Sequence, residues 1–394
     1  MNIIILVLGL LSAFGPLSID MYLPALPIIA KDFGANLSSV QLSLASFFVG
    51  IAAGQIFYGP LTDRFGRKRP LYFGLVLYGV ASLLCATTDS VEGLIAFRFL
   101  QALGSCAGMV ISRAVVRDLY RPQESAKIFS LLMLIMGVAP ILAPLLGGAM
   151  MTTIGWRSIF WFLTAVSFVT FFSVYFFLKE TSTPHPDHKL NKALHNYLEV
   201  LKDRNFTGYA FSLSFIYAGM FAYITGSPFV FIEHFKFTPG EYSILFGVNA
   251  AGLTLFSQVN SWLLRKYSPA ELIQKTLPVT LIAGLFLLIA GLLQGPVWSV
   301  CMPLFLFILT MGIIAPNAAA SALANQKKSA GSASALLGTF QFSVSALCST
   351  LVSSLHDGSL VPMTSVMFMA ALAAFFFHWI LIQSRSGKLQ ALKN

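Results

Sequence analysis

The chain has 394 residues, 57% of them hydrophobic and 10% charged, against the roughly 25% charged residues of an ordinary soluble domain. That composition excludes a water-soluble core, and without ten-residue segments of alternating polarity it excludes a membrane β-barrel too. The net charge of +10 would suit nucleic acid if the basic residues formed one patch, but they are spread through loops between apolar runs.

An apolar run of about 20 residues crosses a bilayer as a helix. Windows of about 19 residues predict spans over 3–29, 38–59, 70–88, 92–116, 126–152 and 157–178, then 205–232, 241–264, 271–293, 297–323, 331–354 and 360–383. The first has no basic start and outruns a signal peptide's apolar stretch, so it is read as a retained anchor. Cys85, Cys106, Cys301 and Cys348 all lie inside apolar runs, where cysteine behaves as a small core residue. The expected fold class is an all-α polytopic membrane protein of 12 transmembrane helices in two pseudo-symmetric six-helix bundles. Residues 1–178 and 205–394 form the bundles, the second with a short tail, and 179–204 is a polar linker. The symmetry rests on hydropathy, because no residue-level repeat is visible.

With the N-terminus inside, all but four of the 25 Lys and Arg residues fall in cytoplasmic loops, the linker or the tail; the exceptions are Lys31, Arg98, Arg157 and Lys236. This positive-inside bias predicts that both termini are cytoplasmic.

In chain order, the first functional candidate is Asp20, the one acidic residue well inside a span, roughly 13 Å from the outer end at 1.5 Å per residue. An ionisable group in a membrane is costly and is a functional hypothesis by default. The competing reading is a helix cap beside the break at Leu23-Pro24-Ala25-Leu26-Pro27, where prolines disrupt hydrogen bonding. After the second span comes Gly59-Pro60-Leu61-Thr62-Asp63-Arg64-Phe65-Gly66-Arg67-Lys68-Arg69. Its glycines suit a tight turn and its basic run suits an anionic inner leaflet. Arg98, the basic residue deep in a span, lies at a depth similar to that of Asp20 and belongs to Arg98-Phe99-Leu100-Gln101-Ala102-Leu103-Gly104. The fifth span holds Gly137, Pro140, Pro144, Gly147 and Gly148. Its prolines predict a kink, and its small residues predict close packing against a neighbour. Tyr22, Gln41, Tyr217, Tyr223, Asn249 and Asn317 are candidate cavity residues, since pockets mix aromatic walls with few polar groups.

Other chemistry lacks support. His185, His188 and His195 lie in the polar linker with no accompanying metal motif, so no metal site is expected. No Gly-Lys-Ser/Thr loop suggests a nucleotide-driven pump.

The segment Gly59 to Arg69 resembles, at each defining position, the G-x-L-x-D-R-x-G-R-[RK]-[RK] signature of the major facilitator superfamily. The resemblance implies a latch in which Asp63 and Arg64, with Asp118, hold one conformation, and Gly59, Gly66 and Arg67 shape it. The fifth span is similar to the antiporter motif G-x-x-x-G-P-x-x-G-G with Ala143 at one glycine. The fourth is similar to R-x-x-Q-G-x-G with Ala102 at another. Ser18 to Pro27, the stretch Gly219 to Val230 and the stretch Ala330 to Phe340 look like the bicyclomycin-resistance and chloramphenicol-efflux subfamily (Bcr/CflA). The resemblance implies a proton-coupled antiporter in a bacterial inner membrane, not an enzyme, exporting amphipathic small molecules such as antibiotics by alternating access. The proton gradient would be its energy source, with no cofactor, and lipid, protons and a drug or metabolite its partners, as a monomer without nucleic acid. In this reading Asp20 carries the proton and Arg98 tunes it and helps to shape the cavity; a proton-coupled metabolite or amino-acid exporter would use the same residues, and a non-transporting ligand receptor would need no Asp20.

Overall fold

Residues 3–182, 197–326 and 330–383 are described by the structure, a computed structural model. The linker histidines, the tail from residue 384 and the side chain of Asp63 lie outside the described residues.

Among the described residues, twelve helices are long and apolar enough to cross a membrane, and there is no strand. The first span is broken. Helix α1 (Ile3–Asp20) gives way at Met21 and Tyr22 to a 3-10 turn (Leu23–Ala25) and then to α2 (Leu26–Asp32). Pro24 has no N–H to offer the Asp20 carbonyl, and the Ala25 N–H donates to the Tyr22 carbonyl at 3.1 Å, which tightens the chain locally. Then follow α3 (Leu37–Phe65), α4 (Lys68–Thr87), α5 (Val91–Leu119), α6 (Pro122–Thr153) and α7 (Arg157–Phe177). Helix α8 (Arg204–Ser227) continues as a π-helical stretch (Pro228–His234). After it come α9 (Pro239–Leu263), α10 (Pro269–Leu292), α11 (Val297–Leu323), α12 (Ala330–Ser354) and α13 (Val361–His378).

One boundary differs from the hydropathy reading. The segment from Gly59 was expected as a loop, yet α3 continues through Phe65 and only Gly66 and Arg67 separate it from α4. Charges end a hydropathy window, but backbone hydrogen bonding runs on until Gly66, whose φ of 80° turns the chain. Gly59 has no turn to make, and a Cβ there would meet nothing within 4 Å.

Two compact units divide the chain, Met1–Lys192 with Lys236–Val248, and Ala193–Phe235 with Asn249–Asn394. In the first unit α1 packs on α5, α6 and α7, while α4 packs on α5 and α7. Inside the second, α8 packs on α11, α12 and α13. There α10 packs on α11 and α13. Counted by span, several pairings of the first unit recur six positions later, so the repeat that residues do not show is visible in packing partners. Large apolar side chains such as Phe73, Phe176, Trp298 and Met302 are exposed, as expected of a surface that lipid covers.

At the end of the first unit away from Gly66, Arg157 ties three segments together. Its Nη1 donates to Asp32 Oδ2 at 3.0 Å, and its Nη2 donates to Asp89 Oδ1 at 2.8 Å and to the Thr88 carbonyl at 3.3 Å. Trp156 Nε1 also donates to Asp32 Oδ2, at 2.9 Å.

Candidate functional site

Asp20 is the last residue of α1 and only 4% exposed. No hydrogen-bond or ion-pair partner for its carboxyl group occurs among the described residues. The hydroxyl side chains two residues to either side of it are committed elsewhere. Ser18 and Tyr78 hydroxyls bond each other at 2.6 Å, and the Tyr22 and Ser43 hydroxyls do so at 3.0 Å. The break in the first span thus ends one helix on a buried carboxyl group, while Tyr22, two residues on, is committed to Ser43 and Arg98.

Arg98 is fully buried on α5. Its Nη1 donates to Gln101 Oε1 at 2.6 Å, Gln101 Nε2 donates to Ser82 Oγ at 2.8 Å, and Ser82 Oγ donates to the Tyr78 carbonyl at 2.7 Å. Nε and Nη2 have no hydrogen-bond partner among the described residues. In place of a counter-ion the guanidinium has rings: Phe47 at 4.2 Å, Tyr22 at 4.9 Å and Phe160 at 5.9 Å to their centroids. A desolvated cation over an aromatic face gains about 2 kcal/mol, against several kcal/mol to bury a charge, so the cage offsets part of that cost. Asp20 and Arg98, singled out as a pair of buried charges, are not an ion pair in this structure. They are joined through the chain, because Tyr22 of the Arg98 cage lies two residues beyond Asp20.

Close helix contacts fix this arrangement. A Cβ at Gly104 would lie 2.5 Å from the Tyr78 backbone nitrogen and 2.6 Å from the Gly74 carbonyl oxygen, so α4 and α5 meet where Tyr78 enters the site. Ala102, which departs from the fourth-helix pattern, faces Gly50. The missing glycine on one helix is thus compensated by a glycine on its neighbour.

Helix α6 runs unbroken through Pro140 and Pro144. Gly137 and Pro140 are half-buried, whereas Pro144, Gly147 and Gly148 are buried. Gly147 abuts the break in the first span: a Cβ there would lie 2.7 Å from the Met21 carbonyl carbon and closer still to its oxygen. Gly148 faces Ser243, whose Oγ donates to the Pro144 carbonyl at 3.0 Å within the first unit.

At the signature segment, Asp118 pairs with Arg67, Nε to Oδ2 at 2.9 Å, and also accepts from the Thr181 hydroxyl at 3.0 Å. Arg67 Nη1 donates to Thr62 Oγ1 at 3.0 Å. Arg64 is exposed, its guanidinium 5.3 Å from the Phe65 ring. Sequence reasoning missed Glu180. Its carboxylate accepts from the backbone N–H of Arg67 at 2.8 Å, of Lys68 at 3.0 Å, of Thr181 at 3.0 Å and of Ser182 at 3.3 Å. Partial burial pushes its pKa upward, but these N–H groups outweigh it and hold the carboxyl below the usual carboxylate range. One signal pointed to it: α4 begins at Lys68-Arg69-Pro70 with no Ser, Thr, Asp or Asn to cap it, so an acceptor had to come from elsewhere.

Of the candidate cavity residues, Tyr22 is fully buried in the Arg98 cage, and Gln41 is buried on α3. In the second unit Asn249 Nδ2 donates to Tyr223 Oη at 3.1 Å. Asn317 Nδ2 donates to Asn260 Oδ1 at 2.6 Å, which joins α11 to α9. Tyr217 is half-buried with its ring 6.4 Å from that of Phe221.

The family model described as Major Facilitator Superfamily matches residues 8–349. The chain belongs to the major facilitator superfamily. This superfamily member is 36% identical over 389 residues to a Bacillus subtilis (strain 168) protein named uncharacterized MFS-type transporter YdgK, covering 97% of this chain and 96% of that one. It is 32% identical to the bicyclomycin resistance protein homolog of Haemophilus influenzae, covering 93% and 92% of the two chains. With the multidrug resistance protein MdtL of Klebsiella pneumoniae it shares 32% identity over 70% of each chain. These relatives place it in the bicyclomycin-resistance and chloramphenicol-efflux branch. Its fold is similar to that of the Escherichia coli xylose transporter XylE, in a partially occluded inward-open conformation, with a TM-score of 0.76 at 14% identity over 96% of this chain and 97% of that one.

Proposed function

We propose that this superfamily transporter is a proton-coupled antiporter that exports amphipathic small molecules, antibiotics among them, by alternating access across a bacterial inner membrane. Substrate leaves as protons enter. Both termini are cytoplasmic, the protein works as a monomer, and the proton gradient is its sole energy source. The names of the relatives support the substrate class, and the positive-inside bias supports the orientation.

One observation carries proton coupling: Asp20 is buried at a helix break and has no counter-charge among the described residues. An isolated carboxylate in a membrane interior is costly as an anion. It therefore holds a proton until its surroundings open, which is the behaviour an antiporter needs. Arg98, held by rings and Gln101 rather than by a carboxylate among the described residues, shares the Tyr22 turn with Asp20 and shapes its surroundings through that turn.

The test is substrate-induced proton movement in proteoliposomes, with wild type and Asp20→Asn compared over a panel of antibiotics and amino acids. Wild type releases protons on substrate addition and Asp20→Asn loses that response by at least about tenfold, the usual scale for removing a group that must exchange a proton. Full proton-coupled export by the mutant would overturn the assignment of Asp20. Wild-type transport indifferent to a pH gradient would replace the antiporter by a uniporter.

A further inference from the structure

Two sequence motifs on different helices converge on one short stretch of backbone. The stretch is Asp20-Met21-Tyr22, where helical hydrogen bonding of the first span is interrupted. From α5, the guanidinium of Arg98 sits 4.9 Å from the Tyr22 ring. From α6, Gly147 lies against the Met21 carbonyl so closely that even a methyl group would fall 2.7 Å from the carbonyl carbon and 2.8 Å from its Cα. Met21 and Tyr22 are both fully buried, so neither contact can relax into solvent or lipid. Backbone, unlike a side-chain tip, cannot swing aside.

We infer that Gly147 is a positioning residue for Asp20, setting through the Met21 carbonyl where the Asp20 carboxyl group stands. A displacement of α6 past this point moves the turn, and the turn carries Asp20 at one end and a wall of the Arg98 cage at the other. The inference rests on Asp20 being the proton-exchanging group. It adds that the antiporter motif acts on proton exchange through main chain rather than by lining a path for substrate. The titratable and charged groups about this turn are Tyr22 within it, Tyr78 and Cys85 on α4, and Arg98 on α5, with which those three interact. Farther along the neighbouring helices lie the buried Cys106 on α5 and Tyr58 on α3. The middle of α3, α6 and α7 carries no acidic or basic residue. A shift in proton affinity on moving the turn is therefore a shift in the relation of Asp20 to the Arg98 cluster and to the apolar side chains that bury it.

The experiment compares Gly147→Ala with Gly9→Ala in proteoliposomes, reading the pH profile of substrate-induced proton release. Gly9 serves as the control because it lies in the same α1 to α6 contact, where a Cβ would meet only the Ile135 Cδ1 tip at 2.5 Å, a flexible group that can turn away. Gly147→Ala is expected to move the midpoint of the profile by about one pH unit or more, the size of shift that a changed neighbourhood gives a buried carboxyl. Gly9→Ala is expected to leave the midpoint in place, even if it lowers the amount of protein in the membrane. Coincident profiles for wild type and Gly147→Ala, with Asp20→Asn inactive in the same preparation, overturn this inference and leave the role of Asp20 standing. Retained proton coupling in Asp20→Asn instead overturns both. Should Gly147→Ala fail to assemble, Tyr22→Leu perturbs the same turn from the Arg98 side. A midpoint shift there, absent in Tyr22→Phe, is the expected result, and unshifted profiles in both overturn the inference.

Discussion

The third span of each unit starts in a different way. In the first unit α4 has no local cap, and the Glu180 carboxylate, more than a hundred residues away in sequence, accepts its leading N–H groups from Arg67 and Lys68. In the second unit α10 caps itself. Ser268 Oγ accepts from the Glu271 N–H at 3.3 Å, and Glu271 Oε2 accepts from the Ser268 N–H at 2.8 Å. A self-capped helix start is stable whatever its neighbours do. A start capped from a distance exists only while two remote segments stay together, so it joins the helix to the residues after α7. The pair Arg67 and Asp118, with Thr181 on the same carboxylate, gathers α5 into that joint.

The comparison can be broken most severely at Gly66. Gly66→Ala places a side chain where φ is 80° and a Cβ would lie 2.8 Å from Glu180 Oε2. The expected loss is about 2 kcal/mol, from left-handed strain and the displaced cap together, read as a lower Tm in detergent.

Glu180→Ala comes next, with a loss of about 1 kcal/mol, at the lower end for a charged cap because the residue is water-accessible. Its signature is reach: hydrogen exchange should quicken at Arg67 and Lys68 and also around Asp118. The pH dependence has a definite sign. With its folded pKa depressed, Glu180 contributes stability that is complete above the ordinary carboxylate value of about 4.3. That stability disappears as pH falls through the lower folded value. Neutral and mildly acidic conditions should leave the joint intact, and a loss of protection at Arg67 between pH 7 and 5 would contradict this account.

Ser268→Ala should have the smallest effect, up to about 1 kcal/mol, and it should stay local. Exchange quickens at the start of α10 and nowhere else. A change at Arg67 or Asp118 in that mutant would mean that the two starts are not independent.

Much of this architecture can be read without coordinates because lipid leaves few options: a chain with this hydropathy must satisfy its backbone within each span, and twelve windows become twelve helices. Asp20 and Arg98 were legible for the same reason, as charges where charge is costly. Their relation was not. Depth along a span places both at one level but says nothing about rotation, and the rings of Phe47 and Phe160 that take the counter-ion's place around Arg98 look like any other apolar residues in the sequence. The end of α3 was hidden because hydropathy measures solvent preference rather than hydrogen bonding. Glu180 was hidden because its partners are backbone groups, which carry no letter. Ala102 is intelligible only with Gly50 opposite.

Arg157 and Glu180 strap the first unit near its two ends, one by side-chain ion pairs to Asp32 and Asp89, the other by backbone amides. Between these straps α3 to α7 are each one uninterrupted helix, whereas the first span is interrupted at Met21 and Tyr22. A frame stiffened at both ends yields at its joint. This one has its joint beside Asp20, so any bending at that joint falls on the residue where a small movement changes the most chemistry.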